Sequence, residues 1–317
     1  MTSSTRSVCP VCGGVAAVVM DLPAGNIRDQ VSGLFGAPVP SDVEIPNYQM
    51  RECSQCALVF ADPMTPGGGG YYGWITAQPK YHAGKRWDWG VIHDDFQAAS
   101  KIQKVLEVGC GDGKLMDFLS DVKGLDMVGV DVSAPSIERA RVGGHDARLS
   151  SFEDMNSVLS TEERFDAVIL SHVLEHVGDP LGVMQTVAAR LNDGGAVYAA
   201  LPYSPMSREL AGWDIQNLPP HHLTRWNQDS LVRLAEVLGL RLDLRLPKAK
   251  SPFKRAVQET CGEVLGDKHP STVRRLAVVA LHVGKFMAWK RRFEAREQVN
   301  GRLAGDSVLA RFVKAKA

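Results

Sequence analysis

The segment 104–119, KVLEVGCGDGKLMDFL, restricts the fold more than any other stretch of the chain. Val105, Leu106 and Val108 form an apolar run with no polar alternation, the pattern of a strand covered on both faces in a parallel sheet. Gly109, Gly111 and Gly113 then recur at every second position, which permits a tight bend and a close backbone approach to a ligand. Leu115, Phe118 and Leu119 resume helical spacing, so the free N–H groups of a helix start face the bend. Strand, glycine turn and helix in that order predict an open α/β sheet with its ligand at the carboxyl end of the strand. Glu107 stands at that end. A carboxylate there repels a pyrophosphate and suits a ligand carrying an amine or a sulfonium, and the GxGxG spacing departs from the GxGxxG of dinucleotide sites.

A second apolar strand, MVGVDVS, ends in Asp131, where an acid can hydrogen-bond ribose hydroxyls. FDAVILSHVLEHVGDP and LNDGGAVYAALP supply two further strands, with a helix beginning at Asp179-Pro180 and ending at Gly194-Gly195. Ser133 caps the helix that carries Pro135 in its first turn, and a helix is expected over Ile92–Gln103. Together EVGCGDG, GVDVS, FDAVILSHVLEHV and LNDGG resemble the class I S-adenosylmethionine-dependent methyltransferases over roughly residues 92–246. The resemblance implies a Rossmann-like seven-stranded sheet. It also implies that Glu107, Gly109, Gly111 and Gly113 hold the methionine part of the cofactor. Asp131 would hold the ribose, with Val132 and Ser171 at neighbouring strand ends. Phe152 and Glu153 would lie near the adenine, although Ser150-Ser151 replaces the family's usual Gly-Asp pair there.

Four of the six cysteines fall in two CxxC pairs, Cys9/Cys12 and Cys53/Cys56. Two such knuckles supply four soft thiolates in a tetrahedron, which suits a structural Zn²⁺ with no open position for catalysis. The stretch between them, Leu22 to Tyr48, is rich in Gly, Pro and Asn and offers little apolar periodicity, so the metal is expected to supply its stability. The segment 63–70, PMTPGGGG, reads as a linker. The chain therefore divides into a zinc-binding, ribbon-like module over 1–66, a linker and lid over 67–91 containing Tyr71, Tyr72, Trp74, Tyr81 and His82, and a methyltransferase domain over 92–317. Strand six is expected at Leu240–Leu246 and the closing strand at Asp306–Lys314, leaving 247–305 as a helical insertion before the last strand.

Three histidines are candidates for taking a proton from an acceptor, in the order His222, His221, His176. His176 belongs to the SHVLEHV segment, where a role in shaping the cofactor pocket competes with base catalysis. His221 and His222 lie in PPHHLTRW, where pinning the loop competes with chemistry. If that segment is extended, the two rings point to opposite sides. The absence of an NPPY-type motif argues against methylation of adenine amines.

Thirty-six Lys and Arg balance thirty-six Asp and Glu, so no overall basic field announces a nucleic-acid partner. Arg6, Arg28 and Arg51 face Asp21, Asp29, Asp42, Glu44, Glu52 and Asp62 in the first seventy residues, which speaks against an RNA methyltransferase with a docking zinc module. The intact glycine loop and Asp131 speak against a non-catalytic assembly protein. The expected activity is methyl transfer to an oxygen or carbon of a small-molecule acceptor, such as a sugar or another biosynthetic intermediate. Between Lys250 and Asn300 eleven basic residues face five acids. There the apolar run of residues 273–293 fits either a helical cap packed on the core or a peripheral contact with an anionic membrane surface. The N-terminus has no apolar stretch after a basic start, and no run approaches the ~18 apolar residues of a membrane span, so a cytoplasmic protein is expected.

Overall fold

The structure, a computed structural model, describes residues 8–78, 86–99, 102–152, 154–206, 209, 215–247, 251–266, 268, 270–300 and 305–316. In chain order the elements are β1 (Ala16–Leu22), α1 (Ala24–Phe35), β2 (Tyr48–Cys53), β3 (Val59–Asp62), α2 (Gly69–Thr76), α3 (Trp87–Ala98), β4 (Lys104–Val108), α4 (Lys114–Phe118), β5 (Asp126–Asp131), α5 (Ala134–Val142) and β6 (Asp146–Leu149). They continue with β7 (Phe165–Ser171), α6 (Pro180–Ala189), β8 (Leu191–Pro202), β9 (Thr224–Arg225), α7 (Gln228–Leu238), β10 (Arg241–Arg245), α8 (Pro252–Leu265), α9 (Thr272–Leu281), α10 (Val283–Asn300) and β11 (Ser307–Val313). Residues 1–202, 215–245 and 308–317 form one compact unit, and 203–214 with 246–307 form a second.

The first unit is built on a seven-stranded sheet in the order β10-β11-β8-β7-β4-β5-β6. Parallel pairing joins β6, β5, β4, β7 and β8 in turn, and β10 runs antiparallel to β11. This is the expected Rossmann-like methyltransferase sheet, with the helical insertion α8–α10 ahead of the last strand. Val105, Leu106, Val108 and Ala167 to Leu170 are fully buried, as their apolar runs require. From β4 the chain winds first to β5 and β6, then returns across β4 to β7 and β8. The crevice where the winding reverses lies outside the carboxyl ends of β4 and β7.

A four-stranded antiparallel sheet, β1-β2-β3-β9, precedes and joins this core. Its fourth strand comes from the loop after β8, with Val59 paired to Arg225 and Phe60 to Thr224. Beneath it Ile27, Val31, Tyr48, Met50, Tyr71 and Leu223 share one apolar cluster. The stretch from Leu22 to Tyr48 thus has a packed helix of its own, contrary to the low periodicity expected. Ile27, Val31 and Phe35 recur every fourth residue, and Gly36 closes α1 in the left-handed conformation by donating to the Ser32 carbonyl.

Two other expectations shift. The helix expected at 92–103 is α3 at 87–98, where Asp88, Ile92 and Phe96 are buried at four-residue spacing. Gly194-Gly195 does not end α6, which stops at Ala189. The pair lies inside β8, where the register against β7 slips between Leu191 and Ala196, so these glycines belong to a bulge. In the second unit Ala256, Phe286, Trp289 and Phe293 make a core shared by α8 and α10. Val273, Leu276 and Leu281 of α9 are exposed.

Gly109 and Gly111 separate two reasons for glycine. Both have positive φ, but a Cβ at Gly109 would also collide with Val173 Cγ2, whereas at Gly111 nothing lies within 4 Å. Gly111→Ala should therefore destabilise by about 1–2 kcal/mol, the cost of the left-handed conformation. Gly109→Ala adds overpacking and should lose about 2–5 kcal/mol in urea denaturation. Equal losses in the two variants would show that Val173 gives way freely.

Candidate functional site

The carboxyl end of β4 delivers Glu107 into the crevice, almost completely buried, and its Oε2 has no hydrogen-bond partner among the described residues. Burial pushes its carboxyl well above the ordinary value of 4.5, and the charges of Asp131 and Asp112 push in the same direction. The glycine loop is tied to the next strand by Gly109 N–H and Cys110 N–H donating to the Val130 carbonyl. Asp131 at the end of β5 accepts from Gly111 N–H through Oδ2 (2.9 Å) and from Ser133 N–H through Oδ1 (2.8 Å). Burial raises the Asp131 carboxyl, and these two amides work against the rise. Three acids thus surround the bend, and of these Asp112 is paired with Lys114 Nζ at 3.0 Å.

Ser171 ends β7 and bridges to α3: its hydroxyl donates to Asp88 Oδ2 at 3.2 Å and accepts from Trp89 Nε1 at 3.3 Å. Asp88 is buried, and its Oδ1 lacks a hydrogen-bond partner among the described residues. Nothing in the segment WDWG marks a buried acid, and its contact with Ser171 is what reveals it. Val132 is exposed after β5 and Phe152 is half-buried after β6, while Glu153 lies outside the described residues. A cleft of about 560 Å³ opens where α6 ends and β8 begins, lined by Gln185, Asp193, Gly239 and Lys316 among others, and none of the expected site residues lines it.

Immediately after β7, His172 adopts positive φ and Val173 packs on Gly109, so the SHVLEHV segment adjoins the glycine loop. Glu175 is wholly buried; its Oε1 lies 3.2 Å from His172 Nδ1 and 3.9 Å from His176 Nε2, and its Oε2 has no hydrogen-bond partner among the described residues. Burial opposes its ionisation, while the His172 imidazole 3.2 Å away holds its carboxyl below the ordinary value. His221 and His222 are not extended. They follow Pro219-Pro220 in a turn where both amides donate to the Leu218 carbonyl, so the two rings stack with centroids 4.5 Å apart instead of pointing to opposite sides. His176 joins them at 4.7 Å from each. Burial lowers the pKa of all three imidazoles, most strongly for His221 and His222, which also repel one another's charge or that of His176. Burial thus favours the neutral rings, whose lone pairs can accept protons or bind a cation.

Cys9, Cys12, Cys53 and Cys56 converge as their spacing requires. Sγ atoms lie 3.7 Å apart for Cys9 and Cys56, 3.5 Å for Cys12 and Cys53, and 3.6 Å for Cys12 and Cys56. The Cys56 hydrogen bond holds the Cys9 thiol down to about 5, while the same contact and burial drive Cys56 up. Four crowded sulfurs cannot all ionise unless a cation sits among them.

The family model described as "Methyltransferase domain" matches residues 82–244. A ubiquinone biosynthesis O-methyltransferase of Pectobacterium atrosepticum is 28% identical over 176 residues, covering 47% of this chain and 69% of that protein. The namesake of Actinobacillus pleuropneumoniae is 31% identical over 119 residues, 35% of this chain and about half (49%) of that protein. Among solved structures, one described as a SAM-dependent methyltransferase from Archaeoglobus fulgidus aligns at 15% identity and a TM-score of 0.47, over 71% of this chain and 94% of that one.

Glu107 makes a pH-dependent prediction. Because folding raises its pKa, the folded state holds the proton more tightly than the unfolded chain. The resulting cost is absent below the ordinary value of 4.5 and grows as pH rises from there through the folded value. Glu107→Gln should therefore melt at a higher temperature than the unliganded wild type at neutral pH, with the difference narrowing as pH falls. A gap that stays constant in thermal melts across that range would refute the buried-charge account.

Proposed function

This chain belongs to the methyltransferase family, and from that premise we propose that it is an enzyme transferring the methyl group of S-adenosylmethionine to an oxygen or carbon of a small-molecule acceptor. The observation that carries this reading is the buried Glu107, with an unsatisfied Oε2 beside a glycine bend that is open at Gly111. A cationic ligand compensates that charge, and an added phosphate would not. The residues present fit the cofactor on this ground.

When bound, S-adenosylmethionine supplies a methyl group already activated by its sulfonium. Glu107 would take the cofactor's ammonium. Each oxygen of Asp131 spends one lone pair on a backbone amide and keeps another for a ribose hydroxyl. Val132 and Phe152 offer apolar surface to the adenine at the ends of β5 and β6. Ser171 fixes α3 over the crevice through Asp88 and Trp89. Holding the nucleophile in line with the methyl supplies a large share of the rate, equivalent to roughly 7–11 kcal/mol in well-oriented systems. The lone pairs of His222, His221 and His176 are the candidates, in that order, for accepting the acceptor's proton. The names of the curated relatives support acceptors of the small, oxygen-bearing kind.

We further propose that Cys9, Cys12, Cys53 and Cys56 hold a structural Zn²⁺. Tetrahedral Zn–S bonds of about 2.3 Å put sulfurs about 3.8 Å apart, close to the separations seen here. The ion would brace the roots of β1 to β3 and leave no position for substrate.

Two experiments follow. Labelled S-adenosylmethionine incubated with the protein and a panel of metabolites should transfer label, and Asp131→Ala should lose cofactor affinity and at least 90% of the transfer; equal labelling by both would sink the cofactor site. Replacing Cys9 and Cys12 by serine should remove one equivalent of zinc per chain and lower the melting temperature, whereas freshly purified wild type devoid of zinc would overturn the metal assignment.

A further inference from the structure

We propose that His176, His221 and His222 form a second metal site, separate from the four cysteines, for a divalent first-row transition ion of the Zn²⁺ type. One ligand atom from each ring lies within 4.8 Å of the others. Proximity alone does not distinguish a metal site from three packed rings, but the hydrogen bonding does. His176 Nδ1–H donates to the His221 carbonyl oxygen at 2.6 Å, and His222 Nδ1–H donates to Asn217 Oδ1 at 2.7 Å. Both acceptors are carbonyl oxygens, so each ring carries its proton on Nδ1 and presents a lone pair at Nε2. Metal-bound histidines are held in this way, with the second ring nitrogen donating to a carbonyl or carboxylate that fixes tautomer and orientation.

The surroundings call for a cation. His176 Nε2, bearing a lone pair, sits 3.9 Å from Glu175 Oε1, so two electron-rich atoms face each other inside the protein. Glu175 is fully buried, and its Oε2 has no hydrogen-bond partner among the described residues. An ion bound by the imidazoles would neutralise this carboxylate at close range and resolve the lone-pair conflict. Imidazole nitrogens with an adjacent carboxylate suit zinc and its neighbours in the transition series, and are poor ligands for Mg²⁺ or Ca²⁺.

The backbone around the cluster is fixed in advance. His176 N–H donates to the Val173 carbonyl, His221 and His222 N–H both donate to Leu218, and Leu223 is bonded on both sides. Val173 links the cluster to Gly109. On the methyl-transfer reading, on which this last step rests, the ion would hold the oxygen of a hydroxyl-bearing or enolisable acceptor beside the cofactor. The three rings would then serve as ligands in place of proton acceptors, since both roles use the same lone pairs.

The test uses the full-length protein produced in cobalt-supplemented medium, with metal content and visible absorption as readouts. Wild type should carry one more equivalent of cobalt than the His176→Ala/His222→Ala double variant, and the extra ion should show ligand-field bands without thiolate charge transfer. Equal cobalt in wild type and a folded double variant would overturn the site. Should the double variant not fold, the acceptor of the His222 Nδ1–H decides: Asn217→Ala should weaken cobalt binding about 10- to 100-fold, while Asn217→Asp, which keeps an acceptor for Nδ1–H, should retain it. Unchanged affinity in Asn217→Ala would overturn the proposal. Calorimetric titration of the same preparations with S-adenosylmethionine separates the two readings, because absent cofactor binding would remove the methyltransferase assignment and leave the cobalt count as it stands.

Discussion

The backbone of Leu223 is the stitch on which the arrangement of the site depends. Its N–H donates to the Glu175 carbonyl at 2.7 Å and its carbonyl accepts from Ala61 N–H at 2.8 Å, with the side chain wholly buried. Each bond contributes only about 1 kcal/mol net, but a buried backbone group left unpaired costs about 1–3 kcal/mol, so neither is readily given up. Through this residue the turn after β7 and the strand leaving the second cysteine knuckle grip the same loop. His221 and His222 precede it directly and are thereby pressed against His176.

The second constraint is electrostatic. Open parallel sheets gather polar ends in one crevice, and this chain lines its crevice with acids: Glu107 and Asp131 at strand ends, with Asp112 in the bend. Two backbone amides offset part of that charge at Asp131, whereas Glu107 Oε2 has no partner among the described residues. The unliganded protein therefore stores an unfavourable buried group at the spot where a positive ligand would relieve it. Stability given up at a site in exchange for affinity is a recurrent pattern in enzymes.

The central strands were legible because burial on both faces leaves an unbroken apolar run. β7 falls on the expected Phe165–Ser171, and the closing strand at Ser307–Val313 lies within the expected 306–314 despite the long insertion before it. The cysteine cluster was legible for a different reason, since metal-ligand spacing is local and chemically specific. What sequence left hidden depends on contacts distant along the chain. The glycines at 194 and 195 look like a helix stop until β7 supplies the register that makes them a bulge. Asp88 acquires meaning only from Ser171, and Asn217 only from His222. The stacking of His221 on His222 needed the turn after Pro219-Pro220, which a rule for extended segments cannot anticipate.

The two-residue strand β9 has an evolutionary corollary. Thr224 and Arg225 complete a sheet whose other members lie more than 160 positions earlier, and Arg225 in turn clasps the Asn217 carbonyl through its guanidinium. A graft that brought a new cysteine-bearing segment from another lineage would arrive without its fourth strand. Because the pairing of β9 with β3 is made by backbone groups, the cysteine-bearing sheet closes only when the loop after β8 is already in place beside it.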